Sequence, residues 1–360
     1  MAIQAAFTLT ANEIYDTLAN MIISQEVFAD NLGSHQTLVD KARVDGGLFG
    51  DTKLYYATDV LKSSAWGNDA EAANLLALDR AEDPEVQEIK LDVFRQIRLT
   101  VDNYLTKRAF ADEGAFSSFN GVMLGWMKET KKVYDGTNYN VFIGTTETNE
   151  GKQITEIDIN TARGAASTEE EANRLEATAI AKGIADLLVE MSDYTRDFND
   201  YGNLRSYANG DVKVIWNAEY VNKIQKIDVP TIFHKDGLVD KLDAEVLPSR
   251  YFGTVNSAAT AGDNATVRAL SEMMIGTNHY FAGDLIKSGD TAPAGTSYTQ
   301  SNDVICKVVT KLPPYMSAFE VGTTFFNPRS LTENHYLTFG HNTLTYLKNY
   351  PFITVKKKSA

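Results

Sequence analysis

Cysteine is almost missing. The 360-residue chain has one, Cys306, set in the apolar run VICKVV. A single thiol excludes an internal disulfide framework and any multi-cysteine metal site. Its surroundings suit a small buried hydrophobe in a strand, and no nearby residue in sequence offers the base that a nucleophile needs. Basic charge is short as well: 34 lysines and arginines face 48 aspartates and glutamates, a net charge of −14. A surface of that sign repels phosphate backbones, which argues against specific nucleic-acid recognition. No apolar run approaches the roughly 20 residues that cross a bilayer as a helix. The N-terminus, MAIQAAFTLTANE, has neither a basic start nor a continuous apolar core, so it is not a signal peptide. Synthesis in a cytoplasm is expected, and numbering from Met1 argues against removal of a long propeptide.

The usual signatures of chemistry are also wanting. The five histidines, His35, His234, His279, His335 and His341, form no HExxH and no pair at ligand spacing, and zinc needs three or four converging ligands. There is no nucleophile elbow and no kinase or dinucleotide fingerprint. GGLFGDTK, from Gly46 to Lys53, fails the spacing of a phosphate loop and reads as a turn. Asp197 to Gly202 starts like a calcium loop, but Ala208 stands where the bidentate glutamate belongs, so a polar helix end is the better reading. Close carboxylates carry little information in so acidic a chain. No catalytic, cofactor-binding or metal-binding residue is assigned, no cofactor is expected, and the chain is not read as an enzyme.

Against these absences, the periodic segments are clear. Ser167 to Trp216 contains a long amphipathic helix with Leu175, Ile180, Ile184, Leu187, Leu188, Met191 and Tyr194 on one face. Ser167 and Glu170 have the form of a capping box, Gly202 is the expected stop, and Val212, Val214 and Trp216 alternate as in a half-buried strand. Asn12 to Leu32 reads as an N-terminal helix ended by Gly33. Ala111 to Tyr134 reads as a second long helix, with Trp126, Met127, Val133 and Tyr134 on its apolar face and Gly136 just past its end. Short strands are expected at Tyr139–Ile143 and Gln153–Ile159, and short helices at Ala218–Ile227 and Val267–Ile275. Leu238 to Gly253 holds short elements broken by Pro248. The C-terminal part is strand after strand: VICKVV, MSAFEV, HYLTFG, NTLTYL and FITV.

The cleanest two-residue period is Ile89, Leu91, Val93, Ile97, Leu99 and Val101, broken only by Arg95. Thirteen extended residues reach about 43 Å, which is long for a compact domain. With a strand at Leu54–Tyr56 and a polar tip between, the segment reads as a two-stranded arm. Such an arm is marginal alone and needs another surface, most simply a neighbouring subunit.

DVFRQIRLTVDNYLTKRAF leads from that arm into the helix at Ala111–Tyr134. MSDYTRDFNDYGNLRSYANGDVKVIWNAEYVNKI gives a helix end, a polar turn with Asn203, Arg205 and Tyr207, and a strand. FFNPRSLTENHYLTFGHNTLTYLKNYPFITVKK gives the returning strands. In these stretches, and in the order of its elements, the chain resembles the Hong Kong 97-type major capsid proteins of tailed bacteriophages, those of short-tailed phages of Gram-positive hosts above all.

The resemblance implies an α+β fold: an N-terminal arm (1–50), an extended loop (51–103), a peripheral domain (104–164) with a spine helix at 111–135, an axial domain (165–310), and return strands of the peripheral domain (311–360). It implies a structural protein that assembles with itself, as pentamers and hexamers, into the icosahedral shell around a double-stranded DNA genome. Expected partners are scaffolding, portal and head-decoration or head-fibre proteins, with DNA touched non-specifically and no membrane. The expected location is the virion, after assembly in the host cytoplasm. Lys53, Lys62 and Lys90 lie in the loop, but a lysine alone is no sign of a subunit cross-link. An encapsulin-like compartment shell and a soluble α+β enzyme with scattered site residues are the alternatives.

Overall fold

The computed structural model describes residues 37–45, 52–63, 80–102, 113–146, 153–221, 243–252, 255–256, 273–275, 278–280, 297–298 and 303–358. In chain order these form α1 (Thr37–Ala42), β1 (Arg43–Asp45), β2 (Thr52–Ala57), β3 (Glu85–Asp102), α2 (Glu113–Thr145), β4 (Ile154–Ile157), α3 (Ile159–Gly164), α4 (Glu169–Ser192), β5 (Lys213–Asn217) and β6 (Asp243–Leu247). Four short strands follow, β7 (Val255–Asn256), β8 (Met273–Ile275), β9 (Asn278–Tyr280) and β10 (Ser297–Tyr298). Then come β11 (Val304–Val309), β12 (Tyr315–Asn327), β13 (Thr332–Asn342) and β14 (Phe352–Lys357). The expected helix at Asn12–Leu32, the arm's tip at 64–79, His35 and His234 lie outside the described residues.

The chain divides into two units, one from residues 1–51, 91–136 and 316–343, the other from 52–90, 137–315 and 344–360. One five-stranded sheet has the order β1-β12-β13-β3-β2, the other β4-β14-β11-β5-β6. The second is mixed: β4 runs parallel to β14 and β6 to β5, while β11 is antiparallel to both its neighbours.

In the second unit α4 covers one face of the mixed sheet. Ile180, Ile184, Leu187 and Met191 pack with Val214, Val308 and Val355 in one buried cluster. On the other face Tyr139, Phe142, Tyr315 and Phe352 contact one another edge-on or tilted, and the Tyr139 hydroxyl donates to the Pro313 carbonyl at 2.8 Å. With both faces covered, β11 is buried at every residue, which places Cys306 in a core strand as expected. The expected alternation in β5 fails for the same reason: Val214 and its neighbour Ile215 are both fully buried.

The long amphipathic helix exists, with two corrections at its ends. Its cap is Thr168, whose hydroxyl accepts the Glu171 N–H at 3.2 Å, while the Glu171 carboxylate accepts the Ser167 N–H at 2.9 Å. The box is thus shifted by one residue from Ser167/Glu170. The helix ends at Ser192 rather than at Gly202. Tyr194 lies beyond it and is 77% exposed, and Gly202 is a turn residue with φ +66°.

Tyr139–Ile143 is no strand but the last turns of α2, which runs through Gly136 to Thr145. Tyr139, Val141, Phe142 and Ile143 are all buried, and a helix end buried all round loses the 3.6-residue signature. The first unit also corrects the inward face of α2: Trp126 is 49% exposed and Val133 is exposed too. The buried stripe is Met127, Lys131, Tyr134 and Asp135. Lys131 bonds Asp135 at 3.1 Å and lies 3.4 Å from Glu320, so the inward face contains charges that hydropathy assigns outward.

Other expectations hold in part. Strand β4 lies within Gln153–Ile159, and residues 218–221 open the helix expected after β5. Met273–Ile275 is a strand, not the end of a helix. NTLTYL contributes only Asn342 to a strand. Past it Thr343 donates its N–H and hydroxyl to Asp92 at 2.6 and 2.7 Å, side-chain bonds that replace a ladder.

Candidate assembly interface

Among the described residues β3 is the longest strand. It alternates half-buried or buried residues with exposed ones over almost all its 18 residues. Its first six residues pair with β2, from Glu85↔Ala57 to Lys90↔Thr52. The rest pairs not with β2 but with β13, from Leu91↔Asn342 to Asp102↔Thr332. Alternation identifies a strand's faces and is silent about its neighbour, so the part played by β13 is a finding of the structure.

On the β2–β3 hairpin, Leu54, Tyr56 and Val86 form an exposed apolar face, with Tyr56 64% exposed and opposite Val86 in register. Val60 and Leu61, beyond β2, are exposed as well. The chain leaving β2 is fastened within its own unit. Asp59 accepts the Leu204 N–H at 2.9 Å and the Arg196 guanidinium at 2.5 Å, while Arg205 donates to the Thr58 carbonyl. These bonds pull the Asp59 carboxyl down to about 2, the Leu204 amide contributing most. Gln87, in the partner strand, donates to the Tyr346 carbonyl at 2.8 Å and accepts the Lys348 N–H at 3.0 Å. The hairpin's ends are therefore positioned by named bonds while one face stays uncovered. In the first unit Phe325, Phe326 and Leu331, around the β12–β13 turn, are also exposed.

The residues weighed for chemistry fall elsewhere. Cys306 is fully buried, and burial pushes its thiol well up from the ordinary value. His341 is buried, with Nε2 3.0 Å from the Tyr134 hydroxyl and Nδ1 2.8 Å from the Asn342 carbonyl. Asp200, from the run weighed as a calcium loop, accepts the Gln153 amide and the Tyr346 hydroxyl, both at 2.6 Å. It ties loops together. Lys62 and Lys90 are exposed and bonded to Glu82 and Glu88 at 2.7 and 2.9 Å. Among the described residues no three His, Cys, Asp or Glu side chains are grouped to hold a metal ion, and no helix is long and apolar enough to cross a membrane. Sequence reasoning missed the Asp59 and Gln87 anchors, single polar residues whose partners are far away in the chain.

No family model matches the chain, and no curated protein matches its sequence. Solved structures do match. A chain in the capsid structure of Staphylococcus phage Andhra superposes with a TM-score of 0.58 at 10% identity, covering 94% of this chain and 88% of that one. A chain in the structure of head fiber and inner core protein gp22 of native bacteriophage P68 gives the same values: TM-score 0.58, 10% identity, 94% and 88% coverage. The fold is therefore the α+β fold of the Hong Kong 97 type, as the order of elements led us to expect.

Proposed function

We propose that this chain is a major capsid protein, which assembles with itself into the icosahedral shell around a phage genome. The observation that carries the reading is the fold match over 94% of the chain to a subunit of a phage capsid structure. The exposed apolar face of the β2–β3 hairpin supports it, because permanent assemblies bury such faces over large areas. We assign residues 1–50 to an arm, 51–103 to an extended loop, 104–164 and 311–360 to a peripheral domain and 165–310 to an axial domain. In this role the protein is structural rather than catalytic and resides in the virion after assembly in the host cytoplasm. Its partners are copies of itself, a scaffolding protein, a portal and head-decoration or head-fibre proteins. Its net charge of −14 keeps contact with packaged DNA weak and non-specific.

Negative-stain electron microscopy of the purified protein, alone and co-expressed with the neighbouring phage gene products, tests the reading. Closed shells, or rings of five and six subunits, are expected. A uniform monomer under every condition would overturn it.

A further inference from the structure

Between β4 and α4 runs a groove of about 370 Å3. One wall is a sheet edge: β4 pairs with β14 and has no described strand on its other side. Two bonds fix which backbone groups face outward. Gln153 and Ile157 give their carbonyls to the N–H groups of Thr354 and Lys358, each at 2.9 Å. The residues between in the alternation, Ile154 and Glu156, therefore turn their N–H and C=O groups to the open side.

The other wall is one stripe of α4. Ala179, Gly183 and Leu187 are recessed in it, while Lys182, Asp186 and Glu190 stand exposed along it. Gly183 brings the helix close to the strand: a Cβ there would lie 2.7 Å from Ile157 Cδ1. Glu156 and Asp158 line the strand side. Asp158 is partly occupied in capping α3, accepting the Thr161 N–H at 2.9 Å and hydroxyl at 2.8 Å. The groove thus combines an open sheet edge, an apolar floor, and four carboxylates against the one ammonium of Lys182.

We propose that this groove takes an extended lysine- or arginine-rich segment of a different protein, added as a further strand beside β4. Outward backbone groups at alternate residues are what an incoming strand pairs with, and pockets for alternate side chains select it. Every second side chain would face α4, its aliphatic stem lying on Ala179 and Leu187 and its cation reaching Asp186 and Glu190, while those between would project to the opposite face of the sheet, the side of Glu156. Charge argues against a second copy of this chain as the occupant. Residues 1–36 hold Glu13, Asp16, Glu26 and Asp30 and no lysine or arginine. The only run of three basic residues, Lys356–Lys358, is already committed to β14 and to the Ile157 carbonyl. The groove belongs to one subunit, so it stands whether or not copies form a shell.

The test is fluorescence anisotropy with the purified full-length protein and a labelled heptapeptide of alternating lysine and valine. A glutamate–valine peptide is the control. Saturable binding is expected for the lysine peptide alone, weakened about tenfold between about 50 and about 500 mM salt. The double variant Asp186→Asn, Glu190→Gln changes exposed positions only and should weaken binding about tenfold. Ile154→Pro removes an outward N–H and spares the ladder to β14, and should weaken it comparably. Circular dichroism of both proteins checks that they fold, and the double variant decides if the proline variant does not. Wild-type affinity in the double variant overturns the proposal. So does a proline variant with altered self-association and unaltered peptide binding, because the groove's occupant would then be a second copy.

Discussion

Gly144 marks a point where two stretches of backbone meet. A Cβ on it would lie 2.0 Å from the Tyr251 carbonyl oxygen and 2.6 Å from its carbon. Backbone cannot yield as the tip of a side chain can. Alanine gains about 1 kcal/mol in helix propensity, and overpacking of this kind costs about 3 kcal/mol, so the clash wins. Gly144→Ala should lower the unfolding free energy obtained from urea titration by about 2 kcal/mol net, and an unchanged midpoint would mean that Tyr251 is free to shift. His341 poses a question of sign. Its Nδ1 faces the Asn342 carbonyl, so in the neutral ring that nitrogen carries the hydrogen and Nε2 accepts from the Tyr134 hydroxyl. Burial holds its pKa below 6.5, the first cause, and Arg95 works the same way. The Asn342 carbonyl, Asp135 and Asp92 oppose it. The unfolded chain therefore takes up the proton first on acidification. The stabilisation is complete above the ordinary histidine pKa and declines as pH falls through 6.5 toward the folded value. Melting temperatures of the wild type should drop more steeply from about pH 7.5 to about pH 5 than those of His341→Gln. Parallel profiles would exclude His341 as the source.

The elements divide by what their sequence pattern encodes. β3 was legible because one face is buried or half-buried from Gln87 to Val101 while the other is exposed, and α4 because a single stripe faces the core. Pairing was not legible, since nothing in Leu91–Asp102 specifies that its neighbour is Thr332–Asn342. α2 misled twice for physical reasons. Its last turns are buried all round, and its inward stripe carries the Lys131–Asp135 pair while Trp126 faces out. The candidate interface was legible only as a need: an arm too thin to stand alone. Which side chains form its open face required the structure. That face gives a test that separates folding from assembly. Leu54→Lys with Tyr56→Lys alters exposed positions, so the subunit's stability should change by less than about 0.5 kcal/mol at each, while closed shells disappear in electron micrographs. Marked destabilisation would mean instead that the face packs within the subunit.

Across the molecule, each unit gathers segments that are distant in sequence. The first draws on residues 91–136 and 316–343, the second on 137–315 and the C-terminal 344–360. Neither is complete until the last strands have been made, a topology that favours slow folding through long loop closures. The central strand of the second sheet has a practical corollary. Cys306 and Lys307 are adjacent, fully buried and on opposite faces of β11. The thiol lies in the cluster beneath α4. The ammonium donates to Thr146 O and to Thr354 Oγ1 and lies 5.0 Å from the centre of the Phe352 ring. Two neighbouring atoms of different reactivity thus report on two different sides of one sheet. A thiol reagent reads the lifting of α4 and an amine reagent the loss of the aromatic side, so the order in which one short peptide gains the two labels dates which layer of the subunit opens first.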